Sequence, residues 1–202
     1  LVAEVFDVFF RISVDLTGAI VAAMHTSSAG QGHETLLATV VGEVLERDPN
    51  DIRVLRADSL NSLPSNSPVG SRMAIMLGGA AFHAAQKLVS KLTAIGAHDL
   101  SIPLERAAYA DGVVYDRNAP QNKRSWADLV QIAHRHYHRM STDMEPGLSV
   151  SHVMQVPTGG KLPTADGRVQ MYPCTSFEFH LILLSIDPEL GRPEIVKYRV
   201  GH

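Results

Sequence analysis

Apolar positions along this chain change period several times, and each change marks a predicted element. Across residues 8–26, VFFRISVDLTGAIVAAMHT, they alternate, which predicts two strands joined at Thr17 and Gly18, where glycine supplies the backbone angles a tight hairpin needs. The period then lengthens. Leu36, Leu37, Val40, Val41, Val44 and Leu45 fall at i, i+1, i+4, i+5, i+8 and i+9, one apolar face of a helix that Asp48 and Pro49 end. DIRVLRA reads as a short strand, and DSLNSLPSNSPVGS, dense in Ser, Asn and Pro, as a long loop of the kind that tends to carry function.

Ser71 is placed to cap the following helix, RMAIMLGGAAFHAAQKLVSKL. Gly78 and Gly79 in its middle cost about 1 kcal/mol each in helix propensity, so the pattern predicts a buried helix closely approached by another element. Met73, Met76 and Phe82 read as its core side chains. AAYADGVVYD predicts a hairpin turning at Asp111 and Gly112. A third helix, capped by Ser125, is predicted over SWADLVQIAHRHYHRM, with Trp126, Leu129, Val130, Ala133, Tyr137 and Met140 inward. GLSVSHVMQVP, TSFEFHLILLSID and EIVKYRV are strands, the last two pairing antiparallel across the turn PELGRP. The order is ββαβα over residues 1–100 and ββαβββ over 101–202, an α+β fold without internal repeats.

Composition narrows the function classes. With 45% hydrophobic and 19% charged residues, the 202-residue chain can bury a sizeable core. A net charge of −3 and the absence of a Lys/Arg cluster argue against nucleic acid as partner. The longest nearly uncharged apolar run, residues 73–85, falls short of the ~20 residues that span a bilayer. One cysteine, Cys174, rules out an intrachain disulfide and a cluster held by this chain's thiolates, and predicts a reducing, cytoplasmic setting. The start at Leu1 and the abrupt VKYRVGH predict a chain cut from a longer structure.

Two glycine-bearing helix entrances carry the candidate chemistry. In SSAGQGHETLL, Gly30, Gln31 and Gly32 stand where strand gives way to helix; the first helical N–H groups and the helix dipole favour an anion there, and Gln31 adds an amide that donates and accepts. The pattern ends in Thr rather than a third Gly, so a Rossmann dinucleotide site is a poor reading; an ordinary tight turn stays open. In SNSPVGSR, Gly70 permits close backbone approach, Ser71 offers a hydroxyl and Arg72 a charged fork for phosphate or carboxylate. As a pair, the two entrances read as a clamp on one anionic ligand.

GQGHETLLATVVGEVL, then IRV and DS, then SPVGSRMAIMLGGAAFHAAQKL, in that order, resemble the molybdopterin-binding large subunit of the xanthine dehydrogenase/aldehyde oxidase family of molybdenum hydroxylases. FEFHLILLSIDPELGRPEIVKYRVGH resembles that family's strand pair before an Asp-Cys-Gly stretch. The resemblance implies that Gly30, Gln31, Gly32 and His33 match the Gly-Gln-Gly-His motif, whose glutamine faces the molybdenum end of the cofactor, and that Gly70, Ser71 and Arg72 match the turn holding the pterin or its nucleotide extension. It further implies a molybdenum-pterin cofactor, including its cytosine dinucleotide form, and hydroxylation of an aromatic heterocycle, aldehyde or similar small substrate with oxygen from water. Iron–sulfur clusters and FAD are expected on partner subunits, alongside the remainder of the large subunit. The family's catalytic glutamate, in a Gly-x-Gly-Glu setting, has no counterpart here; Gly42 and Glu43 lie inside a helix pattern. The isolated chain is therefore expected to be inactive. A noncatalytic interaction subunit and a hydratase on the same scaffold are the competing readings.

The other candidates read as ordinary structure. His134, His136 and His138 suggest a metal site, with His134 and His138 on one helix face, but no HExxH glutamate lies between them, and a solvated or interface face is the simpler reading. No GxSxG elbow supports serine hydrolysis. Cys174 reads as a buried small hydrophobe, and Glu34 as a first-turn dipole partner whose side chain must turn away from the anion site.

Overall fold

The computed structural model describes residues 8–63, 65, 68, 70–155, 163–169 and 177–201. Strands β1 (Val8–Val14) and β2 (Ile20–Met24) form the expected hairpin. Its turn is held by the Asp15 carboxylate, which accepts the Thr17 and Ala19 N–H groups at 2.8 and 3.1 Å. Helix α1 (His33–Leu45) follows, then a 3-10 turn at Pro49–Asp51 and β3 (Ile52–Leu55). The 27-residue α2 (Met73–Asp99) ends seven residues beyond the helix that the sequence pattern suggested. A meander of β4 (Ala107–Ala110), β5 (Val113–Asp116) and β6 (Ala119–Arg124) precedes α3 (Trp126–Arg135), β7 (Leu148–Met154), β8 (Phe179–Ile186) and β9 (Pro193–Gly201). The α+β class is as expected, with β6 added.

The main sheet has the order β3-β2-β1-β7. Only β2 and β3 run parallel, joined through α1, whereas β1 lies antiparallel to both its neighbours. Strands from both halves of the chain, β1 and β7, therefore share one sheet. Along β1, Val8, Phe10, Ile12 and Val14 are buried on one face while Arg11 is exposed on the other, the signature of a sheet covered on one side. Helices α1 and α2 pack on each other, and α2 also packs on β1 and β7. Leu37, Val41, Leu45, Met76, Leu77, Leu88 and Leu92 fill the layer between helices and sheet.

Close approach to α2 occurs at some glycines and not at others. A Cβ on Gly96 would lie 2.5 Å from Val114 Cγ1, and one on Gly79 would lie 3.1 Å from the Met154 thioether. On Gly78 it would meet nothing nearer than Leu36 at 3.9 Å, so the expected tight contact is absent at that residue. Met73 and Met76 are core side chains as expected, but Phe82 is 42% exposed, because its position on α2 faces away from both sheet and α1.

Two further expectations change at helix ends. Ser125 does cap α3, in a capping box with Asp128, yet the helix stops at Arg135. His136, at φ −116 and ψ 51, leaves helical geometry, and residues Tyr137–Arg139 form a separate 3-10 turn. His134 and His138 therefore do not share a helix face. Instead His134 Nε2 donates to the Val14 carbonyl at 2.9 Å, tying α3 to β1. Cys174 lies outside the described residues.

Candidate functional site

The turn before α1 bends back on itself. Gly30 and Gly32 both adopt positive φ, +95 and +74, the left-handed region that glycine tolerates best, and Gly32 is the residue from which the helix starts. A Cβ at either would meet no atom within 4 Å, so the backbone there borders open space. Between them the Gln31 side chain curls over its own loop, its amide oxygen accepting the Ala29 N–H at 2.6 Å. That contact fixes the carboxamide and leaves its two N–H donors for a neighbour.

The entrance to α2 differs from the expected cap. Ser71 does not cap the helix: it sits at φ +50, and the helix starts from Arg72, whose own carbonyl accepts the Ile75 and Met76 N–H groups at 3.1 and 2.9 Å. The strained Ser71 backbone and Gly70 at φ +68 form a left-handed pair that directs Arg72 inward. Arg72 is 5% exposed, and burial lowers its pKa from the ordinary value because desolvation disfavours the charged guanidinium. A cation at the positive end of a long helix is also poorly placed electrostatically. An anion at this spot would offset both effects.

The two entrances face one cavity of about 570 Å³, lined by Gln31, His33, Leu36, Pro68, Gly70, Ser71, Arg72, Met73 and Ala74. Five of the seven candidate residues thus line a common space; Gly30 and Gly32 stand in the turn beside it. His33 is 6% exposed, and its Nδ1 is buried without a hydrogen-bond partner among the described residues. Leaving such an atom unsatisfied costs about 1–3 kcal/mol, which a ligand's polar group would relieve.

Glu34 turns away, as an anion site beside it requires. Its carboxylate is paired with Arg56 just beyond β3 and accepts the Ser28 hydroxyl at 3.3 Å. Its own backbone N–H lowers its pKa first; burial opposes this, and the Arg56 charge adds to the lowering. The negative charge in the first turn of α1 is thereby directed at Arg56, away from the cavity lining.

One polar residue near the site has no counterpart in the sequence pattern. His25, directly after β2, is 7% exposed, and its Nδ1 accepts the Leu63 N–H at 3.0 Å. An accepting Nδ1 places the proton on Nε2, and that atom has no partner among the described residues. Burial, and secondarily Arg11, lowers its pKa, so the ring is held neutral. His25 therefore anchors the loop that leads to Gly70. A histidine closing an apolar strand just before a glycine turn was the available signal.

Residues 7–202 match the molybdopterin cofactor-binding domain family, and the chain belongs to it. It is 26% identical over 194 residues to the nicotine 6-hydroxylase large subunit of Paenarthrobacter nicotinovorans, covering 96% of this chain and 22% of that one. Against the carbon monoxide dehydrogenase large chain of Hydrogenophaga pseudoflava it is 26% identical over 188 residues, 93% of this chain and 21% of the relative. In fold it matches a Cu,Mo-CO dehydrogenase structure at TM-score 0.78 and 22% identity, covering 96% of this chain and 22% of the other. Quinoline 2-oxidoreductase from Pseudomonas putida 86 matches at TM-score 0.73 and 19% identity over 96% of this chain and 23% of that one. The chain thus spans about a fifth of the length of the relatives it matches.

Proposed function

We propose that this chain is the cofactor-holding part of a molybdenum hydroxylase large subunit. In that reading it acts within an assembly that also contains the remainder of the large subunit, an iron–sulfur subunit and an FAD subunit. The substrate class is an aromatic heterocycle, an aldehyde or a similar small molecule. What supports the reading is the single cavity on which the Gly30–Gly32 turn and the Gly70–Arg72 entrance converge. The residues present fit a pterin-bearing group: open backbone at Gly30 and Gly32, an unsatisfied buried His33 Nδ1, and a desolvated guanidinium suited to phosphate.

The molybdenum centre, when bound, supplies the two-electron redox step. The chain's own groups position it. Gln31 offers its amide N–H groups toward the metal end, with its oxygen already held by Ala29. His33 offers a ring nitrogen from the first residue of α1, and Gly30 and Gly32 let the cofactor come against main chain. Arg72, with Ser71 and Gly70, receives the anionic end, where the cytosine dinucleotide extension would lie. Catalytic proton transfer is assigned to another part of the assembly, since the sequence lacks the family's Gly-x-Gly-Glu stretch, and the isolated chain should show no turnover. With one cysteine and no helix among the described residues long and apolar enough to cross a membrane, we place the assembly in the cytoplasm.

Metal and pterin analysis of the intact protein, purified with its partners, tests this. Stoichiometric molybdenum with a cytidine-bearing pterin is the expected result. An intact protein containing neither metal nor pterin refutes it and leaves the interaction-subunit reading.

A further inference from the structure

Strands β8 and β9 form a two-stranded sheet of their own and, among the described elements, make substantial contact only with each other. Of the 21 large hydrophobic residues exposed among the described residues, 12 fall within residues 177–200, so the chain's exposed apolar surface is concentrated on this hairpin. The register sorts these side chains by face, because directly opposed residues point the same way. One face carries Ile182 opposite Tyr198 and Leu184 opposite Ile195, with His180 opposite Val200. The Tyr198 hydroxyl and His180 Nδ1 lie 2.8 Å apart and His180 Nε2 lies 3.4 Å from the Glu178 carboxylate just before β8, so the polar groups gather at that end and Ile182, Leu184 and Ile195 leave the rest of the face apolar. The opposite face carries Phe179, Leu181 and Leu183 in a row along β8, at 64, 60 and 59% exposure, beside Arg199 and Lys197 on β9.

Strands that are apolar on both faces belong to sheets covered on both sides. A lone two-stranded hairpin is at best marginally stable in water. Pairing with a second copy face to face would cover one side and leave Phe179, Leu181 and Leu183, or else Ile182 and Tyr198, in water. Adding a strand at an edge would cover neither. The occupant must therefore approach from both sides, and the relatives carry about four-fifths of their length beyond what this chain spans.

Resting on the reading above as a large-subunit segment, we propose that β8–β9 is an internal layer of that subunit, clamped on both faces by the polypeptide this chain does not span. Over Ile182, Leu184 and Tyr198 the covering surface is apolar. Over the other face it is an apolar ridge that meets Phe179, Leu181 and Leu183, bordered by carboxylates that reach Lys197 and Arg199, whose aliphatic stems extend the apolar contact.

Hydroxyl-radical footprinting of the wild-type protein in its native assembly tests this without any substitution. Leu181 and Leu183 report one face, and Ile182 and Tyr198 the other. Oxidation at all four should be severalfold slower in the assembly than in the isolated 202-residue chain, and a carbodiimide should cross-link Lys197 to an Asp or Glu of the large subunit outside these residues. If either face reacts at the isolated-chain rate, or if the cross-links join two copies of this hairpin, the inference fails. Molybdenum and pterin content of the same preparation reads the functional proposal separately. Two protected faces without metal would sink the cofactor reading and keep this one; a metal-loaded assembly with a reactive face would do the reverse.

Discussion

Three glycines on α2 allow helix propensity to be separated from packing. Replacing Gly78, Gly79 or Gly96 by alanine gains about 1 kcal/mol of propensity at each position. That gain is common to all three, so differences among the variants report what the new methyl group meets. At Gly78 the nearest atoms are the Leu36 methyls at 3.9 Å, an ordinary contact, and Gly78→Ala should stabilise by nearly the full ~1 kcal/mol. At Gly79 the neighbour is the flexible Met154 side chain at 3.1 Å, which can move aside, so Gly79→Ala should come out near neutral to mildly stabilising. At Gly96 the methyl would lie 2.5 Å from Val114 Cγ1 and 2.7 Å from its Cβ. A β-branched side chain fixed in a strand cannot rotate away from that overlap. Overpacking of about 1–3 kcal/mol then cancels or exceeds the propensity gain, leaving Gly96→Ala roughly 0–2 kcal/mol less stable than wild type. For a chain of this size each kcal/mol corresponds to about 2–4 °C in Tm. Urea unfolding of the three variants supplies the ranking. Gly96→Ala as stable as Gly78→Ala would show that α2 does not lie against β5 as described.

Other expectations can be checked with a few variants of the same chain. Arg72→Ala should lower bound molybdenum and pterin in a chain that still folds by circular dichroism; undiminished loading would exclude Arg72 from the site. Asp99 is pushed up by burial, but Arg139 and Arg124 outweigh this and hold its carboxyl below the ordinary 3.8. Its stabilising contribution is therefore present above pH 3.8 and lost as pH falls through the lowered value, and Asp99→Asn should flatten that acid limb of an unfolding-versus-pH curve. His25 is lowered from 6.5 by burial, so its neutral form stabilises the fold above that pH and the contribution fades as pH drops through its folded value. The Leu63 amide, which donates to His25, should exchange faster with solvent over that window; His25→Asn, which keeps an acceptor, should retain more of its protection than His25→Leu.

How much of this was legible beforehand depends on how local each feature is. The β1–β2 hairpin, α1 and the Ser125 cap rest on neighbours within a few residues, and periodicity shows them directly. Strand β6 escaped because Ala119–Arg124 is a polar edge strand with no apolar alternation to read. The end of α3 escaped because the apolar spacing runs on through Tyr137 and Met140, whereas His136 leaves helical geometry. Sequence placed Gln31 and Arg72 each at a helix entrance, but their convergence on one cavity is tertiary; the pairing of two glycine-bearing entrances suggested a shared ligand, and the ordered resemblance strengthened that reading. It gave no hint that Ser71 would take a left-handed backbone rather than cap α2, nor that Arg56 would hold Glu34 aside.

The pairing of β1 with β7 bears on how the molecule comes into being. Val8 is paired in register with Met154, so β1, once synthesised, must wait for more than a hundred further residues before that edge is closed. Long-range pairing of this sort slows folding and prolongs exposure of an unpaired edge. A ribosome-bound chain halted after α2 would expose β1 as an open template, and separately expressed halves divided near residue 101 should regain a complete sheet only by finding each other.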